Sequence, residues 1–203
     1  KDTQVFRFSC ELYKTVNKDL LQKATEDTLE EFDIFKSILR RGLFWYYLEE
    51  SDIKPIVREE YKIPCSLIYQ RNNHKLLFEV TYYRNRINLE VFHVLTDGTG
   101  AMNFLKTLVS NYLTLAENVE DSGVDYDASS TQKSDDSFSK YYSGKISSKQ
   151  ENNPVAYKIV GRKYPDDKLK VINGMVDVKK VLEESHKYNA TLTAFLSAVL
   201  IKS

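Results

Sequence analysis

Cysteine is almost missing from this chain, with two in 203 residues, Cys10 and Cys65. They lie far apart and follow no metal or redox spacing, and no secretory segment is expected before them. Both are expected to be reduced thiols in a cytoplasmic protein. A surplus of charge is missing too. Lysine plus arginine and aspartate plus glutamate number 29 each, for a formal net charge of zero, so nothing favours wholesale attraction to nucleic acid or to an anionic bilayer. No apolar run makes a membrane span, and no internal repeat is visible. Histidine is reduced to His74, His93 and His186, and glycine to seven residues, so a place where the two come close is informative.

The chain also lacks an initiator methionine, opening on Lys1-Asp2-Thr3. At the other end, residues 191–201 are apolar nearly all round and no stop signal follows. They read as a helix buried on several sides, with more protein expected beyond it.

The apolar and charged fractions, 42% and 29%, are those of an ordinary soluble globular protein, and the length suits one domain with a core. In residues 5–13, Val5, Arg7 and Ser9 alternate with Phe6, Phe8 and Cys10, the period of a half-buried strand. Asn17 has the chemistry of an N-cap. From Asp19 onward, Leu21, Thr25, Thr28, Phe32, Phe35 and Leu39 recur at spacings of four and three, which predicts an amphipathic helix reaching Leu39 and broken by Gly42. The aromatic run 43–48 predicts a strand, and Pro55 and Pro64 an irregular or edge-like stretch. Residues 76–83 and 87–94 predict a hairpin about Arg84-Asn85-Arg86, with Asn85 best able to take the left-handed turn conformation. Residues 121–153 are rich in Ser, Asp, Lys and Gln and read as a mobile polar crossover. Short strands at 156–160 and 169–172, and helices at 177–188 and from Thr191, complete the reading.

On the second hairpin strand, Ile87, Leu89, Val91 and His93 share one face, and Asn88, Glu90 and Phe92 the other. His93 therefore ends an apolar row. Asp97 and Gly98 follow four residues later, then Gly100, and then Met102, Leu105, Leu108, Val109, Tyr112 and Leu113 at helical spacing. A histidine, three free positions and Asp-Gly would arise by chance in such a chain with a probability on the order of one or two per cent. At a strand-to-helix corner it can hold an imidazole out of a sheet as a general base, which points to acyl transfer.

His93 through Gly98 resembles the His-x-x-x-Asp-Gly signature of the chloramphenicol acetyltransferase-like superfamily, which includes condensation domains of peptide synthetases, two-half plant acyltransferases and alcohol acetyltransferases. The predicted order is similar, over nearly the whole chain, to the N-terminal half of its two-half members. The Leu39-Arg40 pair, at the end of the first predicted helix and before the Trp45 strand, resembles the Leu-Arg pair that many relatives carry there. Phe92 departs from the commoner doubled histidine.

The resemblance implies an α/β (α+β) fold, a two-layer sandwich of a mixed, largely antiparallel sheet covered by helices. It implies one domain over 1–203, whose C-terminal partner half is absent. It also implies an acyltransferase, nearest in appearance to alcohol acetyltransferase-like proteins and inactive as this half alone. His93 would take a proton from a hydroxyl or amine acceptor attacking an acyl-coenzyme A thioester, then return it to the leaving thiolate; imidazole suits this because it titrates near neutrality. Asp97 would make a structural ion pair with an arginine, for which Arg40 is the candidate, and Gly98 would permit a tight backbone where a Cβ would block substrate or helix packing. No metal or bound cofactor is expected. The expected partners are a small-molecule acceptor, acyl-CoA and the chain's own missing half, with a carrier protein replacing free CoA in a condensation-type alternative.

Each assignment has a plainer rival. His93 can be a strand-end histidine satisfied by a backbone carbonyl, Asp97-Gly98 a turn with a helix N-cap, and Arg40 a surface residue beside Arg41. His74 reads as a turn residue and His186 as a helix-surface residue. The tyrosines and Trp45 read as core or cleft lining. The lysines from Lys158 to Lys187 read as a solvated face, although coenzyme A phosphates could use some of them. A non-catalytic binding module of the same fold would be favoured by a buried His93 with no channel beside it.

Overall fold

A computed structural model describes residues 3–70, 74–117, 160–161, 165, 168, 171 and 174–202. They fall into two compact units, Lys1–Gly161 and Arg162–Ser203.

The first unit opens with strand β1, Val5–Glu11, followed by helix α1, Lys18–Glu31. Asn17 caps α1 as its chemistry predicts, its Oδ1 accepting the N–H of Asp19 at 2.9 Å and of Leu20 at 3.2 Å. The helix ends eight residues before Leu39, however. Phe32 leaves helical geometry (φ −128°, ψ 75°), and a 3-10 turn spans Asp33–Lys36. The apolar period carries through this break because residues three apart in a 3-10 turn share a side. Phe32 and Phe35 both reach Phe104, with ring centroids at 5.3 and 4.1 Å, the latter pair stacked.

Strands β2, Ser37–Arg41, and β3, Tyr46–Glu50, then form a separate two-stranded antiparallel sheet. Leu39 and Arg40 therefore lie in a strand, and Gly42 belongs to the hairpin turn, its N–H donating to the Trp45 carbonyl at 2.7 Å. The strand predicted from Leu43 begins at Tyr46. Trp45 and its neighbours Tyr46 and Tyr47 are exposed, not core or cleft lining.

Strands β4, Arg58–Glu59, β5, Phe78–Tyr83, and β6, Arg86–Phe92, join β1 in a four-stranded sheet of order β1-β6-β5-β4. All its pairings are antiparallel except β4 with β5, so the sheet is mixed and largely antiparallel, as expected. The short β4 sits between Pro55 and Pro64, in the edge-like stretch they predict. In the β5–β6 turn the left-handed residue is Arg84 (φ 53°), not Asn85. Asn85 ties down the end of β1 instead: its Nδ2 donates to the Leu12 carbonyl at 2.7 Å, and its own carbonyl accepts the Leu12 N–H at 2.8 Å.

Helix α2, Gly98–Glu117, packs with α1 on the sheet face that carries Phe78, Val80, Ile87, Leu89 and Val91. Leu21, Phe35, Phe104 and Leu108 fill the space between them and are essentially fully buried. The second unit holds helices α3, Val178–Lys187, and α4, Leu192–Lys202. Both match the predicted helices, but α4 has no buried residue, so the burial expected of residues 191–201 is not found in the described residues. His186 is exposed in the last turn of α3. The predicted crossover 121–153 lies outside the described residues. So do the predicted strands 156–160 and 169–172, apart from Val160 and Val171, neither of which is in a strand.

Candidate active site

β6 carries the chain toward the candidate base along a buried row. Ile87, Leu89 and Val91 are fully buried, and Phe92 nearly so. On the opposite face Phe92 stacks on Tyr69, with centroids 5.6 Å apart and planes within 10°. An aromatic ring thus fills the position where a first histidine is commoner. The strand ends there, and His93 opens the turn that leads into α2.

His93 is held by its backbone. Its N–H donates to the Gln4 carbonyl at 2.7 Å, extending the β1–β6 ladder one step past Val5↔Phe92. Gln4 adopts φ 53° to present that carbonyl, a conformation costly for a non-glycine residue. The imidazole itself is exposed. It lies over the Phe6 ring, centroids 5.0 Å apart and planes tilted by 58°, and faces an open depression lined by Gln4, Val5, Phe6, His93 and Val94. Among the described residues neither ring nitrogen is held by a hydrogen bond. A buried histidine without space beside it, the arrangement that would favour a non-catalytic module, is not what the chain contains.

Asp97 and Gly98 act differently from the expectation. The Asp97 carboxylate accepts the Gly100 N–H at 2.9 Å, and its carbonyl accepts the Ala101 N–H at 3.1 Å, which makes it the N-cap of α2. The Arg40–Asp97 ion pair is not made. Arg40 sits in β2, where its Nε pairs with Glu49 and its guanidinium meets the His74 ring, 3.0 Å from Nε2. The reason is the early end of α1, which sends Leu39-Arg40 into the outer hairpin. A Cβ on Gly98 would meet only the Phe8 ring, at 3.8 Å, an ordinary contact. Gly100 is the constrained glycine: a Cβ there would fall 2.1 Å from Thr96 Oγ1 and 3.3 Å from Thr96 Cβ.

The strongest polar feature beneath the site escaped the sequence reading. On the sheet face away from α1 and α2, Glu90 is 1% exposed. Its Oε1 accepts from Arg7 Nε at 2.9 Å and from the Cys65 N–H at 2.6 Å. Arg7 also reaches Glu60 at 2.5 Å, and Glu60 takes Arg86 at 2.8 Å. Burial works to raise the Glu60 pKa, but the Arg7 and Arg86 guanidiniums outweigh it and hold the carboxyl below its usual range. Burial likewise works to lower the Arg7 pKa and is outweighed by Glu60 and Glu90, so the guanidinium is held more firmly protonated. Burial first, then Glu90, pushes the Cys65 thiol up, with Arg7 opposing. The available signal was Glu90 itself, a carboxylate amid an apolar strand, which demands a buried partner.

Among the described residues no group of three or more His, Cys, Asp or Glu side chains could hold a metal ion, and no helix is long and apolar enough to cross a membrane.

No protein-family model and no curated protein matches the chain. Among solved structures it is similar to condensation domains. The starter condensation domain of rhizomide synthetase RzmA aligns with a TM-score of 0.49 at 11% identity, covering 62% of this chain and 35% of that one. VibH, a condensation enzyme of nonribosomal peptide synthesis, aligns at 0.43 and 16%, covering 60% and 32%. Polyketide synthase associated protein 5 from Mycobacterium tuberculosis aligns at 0.44 and 19%, covering 59% and 31%. The chain spans about a third of the length of these structures.

Proposed function

We propose that the chain is the base-bearing half of an acyltransferase that moves an acyl group from a coenzyme A thioester to a hydroxyl or amine. The observation that carries this reading is the placement of His93. Its backbone is fixed by Gln4 and its ring is backed by Phe6, it lines an open depression at the strand-to-helix corner, and neither ring nitrogen is hydrogen-bonded among the described residues. The imidazole takes the acceptor proton as the acceptor oxygen or nitrogen bonds to the thioester carbonyl carbon. The tetrahedral intermediate then collapses, the carbon–sulfur bond breaks, and the imidazolium returns the proton to the departing thiolate. Asp97 does not touch substrate; by capping α2 it fixes the corner from which His93 projects. The facing wall of the site, with donors for the oxyanion, belongs to the second half that the resemblance implies.

The test is acyl transfer by the parent protein, with acyl-CoA in one arm and an acyl-loaded carrier protein in the other, each against hydroxyl and amine acceptors. His93→Ala is expected to lower turnover by about 10²–10⁴-fold with the fold retained. Wild-type turnover in that variant would overturn the assignment of the base. Turnover confined to the carrier-protein arm would replace free coenzyme A as the donor.

A further inference from the structure

The tip of the β2–β3 hairpin carries five consecutive bare apolar and aromatic side chains. Leu43, Phe44, Trp45, Tyr46 and Tyr47 are 91%, 85%, 68%, 53% and 45% exposed. Tyr46 and Tyr47 are successive strand residues and point to opposite faces, and Leu43, Phe44 and Trp45 form the turn between the strands, so both faces of the tip and its apex are uncovered. A flat protein surface covers only one face of such a ribbon. An occupant of this tip has to surround it.

The chemistry is also graded along the hairpin. Leu43 and Phe44, wholly apolar, stand in the turn. Trp45, Tyr46 and Tyr47, each an apolar ring with one polar atom, come next. Arg41 and Arg40 lie directly across from Tyr46 and Tyr47, and Arg41 is paired with no carboxylate among the described residues. Glu49 and Glu50 lie deepest, across from Ile38 and Ser37. Hydrocarbon, aromatic belt, cation and only then anion is the order met on leaving the interior of a bilayer through its interface and phosphates. Because the net charge of the chain is zero, the attraction is local to the hairpin and does not come from the field of the whole molecule.

We propose that this hairpin tip docks the protein on a phospholipid surface containing anionic headgroups. Leu43, Phe44 and Trp45 enter the boundary between acyl chains and headgroups, and Arg41 lies at the level of the phosphates. The element rests in the surface and spans nothing. It does not depend on the chemistry at His93.

Trp45 is the only tryptophan in the chain, so its fluorescence reports on the tip alone. Titrating the 203-residue chain with phosphatidylcholine vesicles containing phosphatidylserine is expected to shift Trp45 emission to the blue, and brominated acyl chains are expected to quench it. Combining Leu43→Ser with Phe44→Ser should weaken vesicle binding about a hundredfold. Arg41→Glu should weaken it about tenfold, and only on the vesicles that contain phosphatidylserine. All three positions are exposed, so circular dichroism should match the wild type. Unchanged emission with vesicles overturns the proposal, as does binding indifferent to the double substitution. A blue shift that grows with protein concentration in the absence of lipid overturns it too, and assigns the tip to a second copy of the chain.

Discussion

The carboxylate of Asp97 accepts the backbone N–H of Gly100 at 2.9 Å, so the acidic residue of the motif works on the helix that backs the site and not on a distant arginine. A negative charge at this end of α2 is also favoured by the helix dipole. Asp97→Ala is expected to cost about 0.5–2 kcal/mol in urea unfolding, while Asp97→Ser keeps most of the stability. Arg40→Met should change it by less than about 0.5 kcal/mol, because the Arg40–Glu49 pair is a surface pair. Equal losses in Asp97→Ala and Arg40→Met would restore the ion-pair reading.

The two glycines of the motif should separate cleanly. Gly98→Ala meets only Phe8, at 3.8 Å, and alanine favours the first helical turn, so the melting temperature is expected to hold or rise. Gly100→Ala drives its Cβ into Thr96, and a loss of about 1–3 kcal/mol is expected. Adding Thr96→Ala removes the nearer of the two clashing atoms and should recover part of that loss, measured as a coupling in a double-mutant cycle.

The pair beneath the sheet predicts a larger effect. Arg7→Met leaves Glu90, 1% exposed, without its cation, and about 3–5 kcal/mol of stability should be lost. A smaller loss is expected for Glu90→Gln, since the carboxamide oxygen can still accept from Arg7 and Cys65.

Acid should act through Glu60. Its folded pKa is held below the usual 4.5, so its contribution is fully present above that value and is lost as pH falls through the lower, folded one. Unfolding free energy measured on the acid side should therefore decline below about pH 4.5, and Glu60→Gln should flatten the decline. An unchanged slope in Glu60→Gln would assign the acid sensitivity to other carboxyls.

Both thiols should be slow to react. Burial pushes the Cys10 and Cys65 pKa values up, with Glu11 adding to Cys10 and Glu90 to Cys65, which lowers the thiolate fraction. Reaction with a disulfide reagent near neutral pH should run well below the rate of a free cysteine and accelerate when urea unfolds the chain.

The strands and the corner were legible because their signals are local. The alternation of Phe6 and Phe8 with Arg7 and Ser9 marks β1, Asn17 announces α1, and the histidine four residues before Asp-Gly marks the turn from β6 into α2. What could not be read depended on partners distant in sequence. The three-residue step from Phe32 to Phe35 fits both an α-helix and a 3-10 turn, and the chain takes the turn where both rings pack on Phe104, contributed by α2. Arg84 takes the left-handed turn position because Asn85 is occupied at Leu12, seventy-three residues away. The role of Gly100 rests on where the Thr96 side chain points, which no spacing encodes.

The pairing of Val5 with Phe92 joins the first of the four described strands of this sheet to the last of them in chain order. During synthesis β1 leaves the ribosome before the other three described strands of its sheet, and its one partner among them, β6, is the last of the four to emerge. Closing so long a loop is slow and gains nothing until the ladder forms. The corner that fixes His93 through Gln4 is thus assembled late, and truncated translation products ending before Phe92 would expose an unpaired strand edge carrying Phe6 and Phe8, a substrate for chaperones.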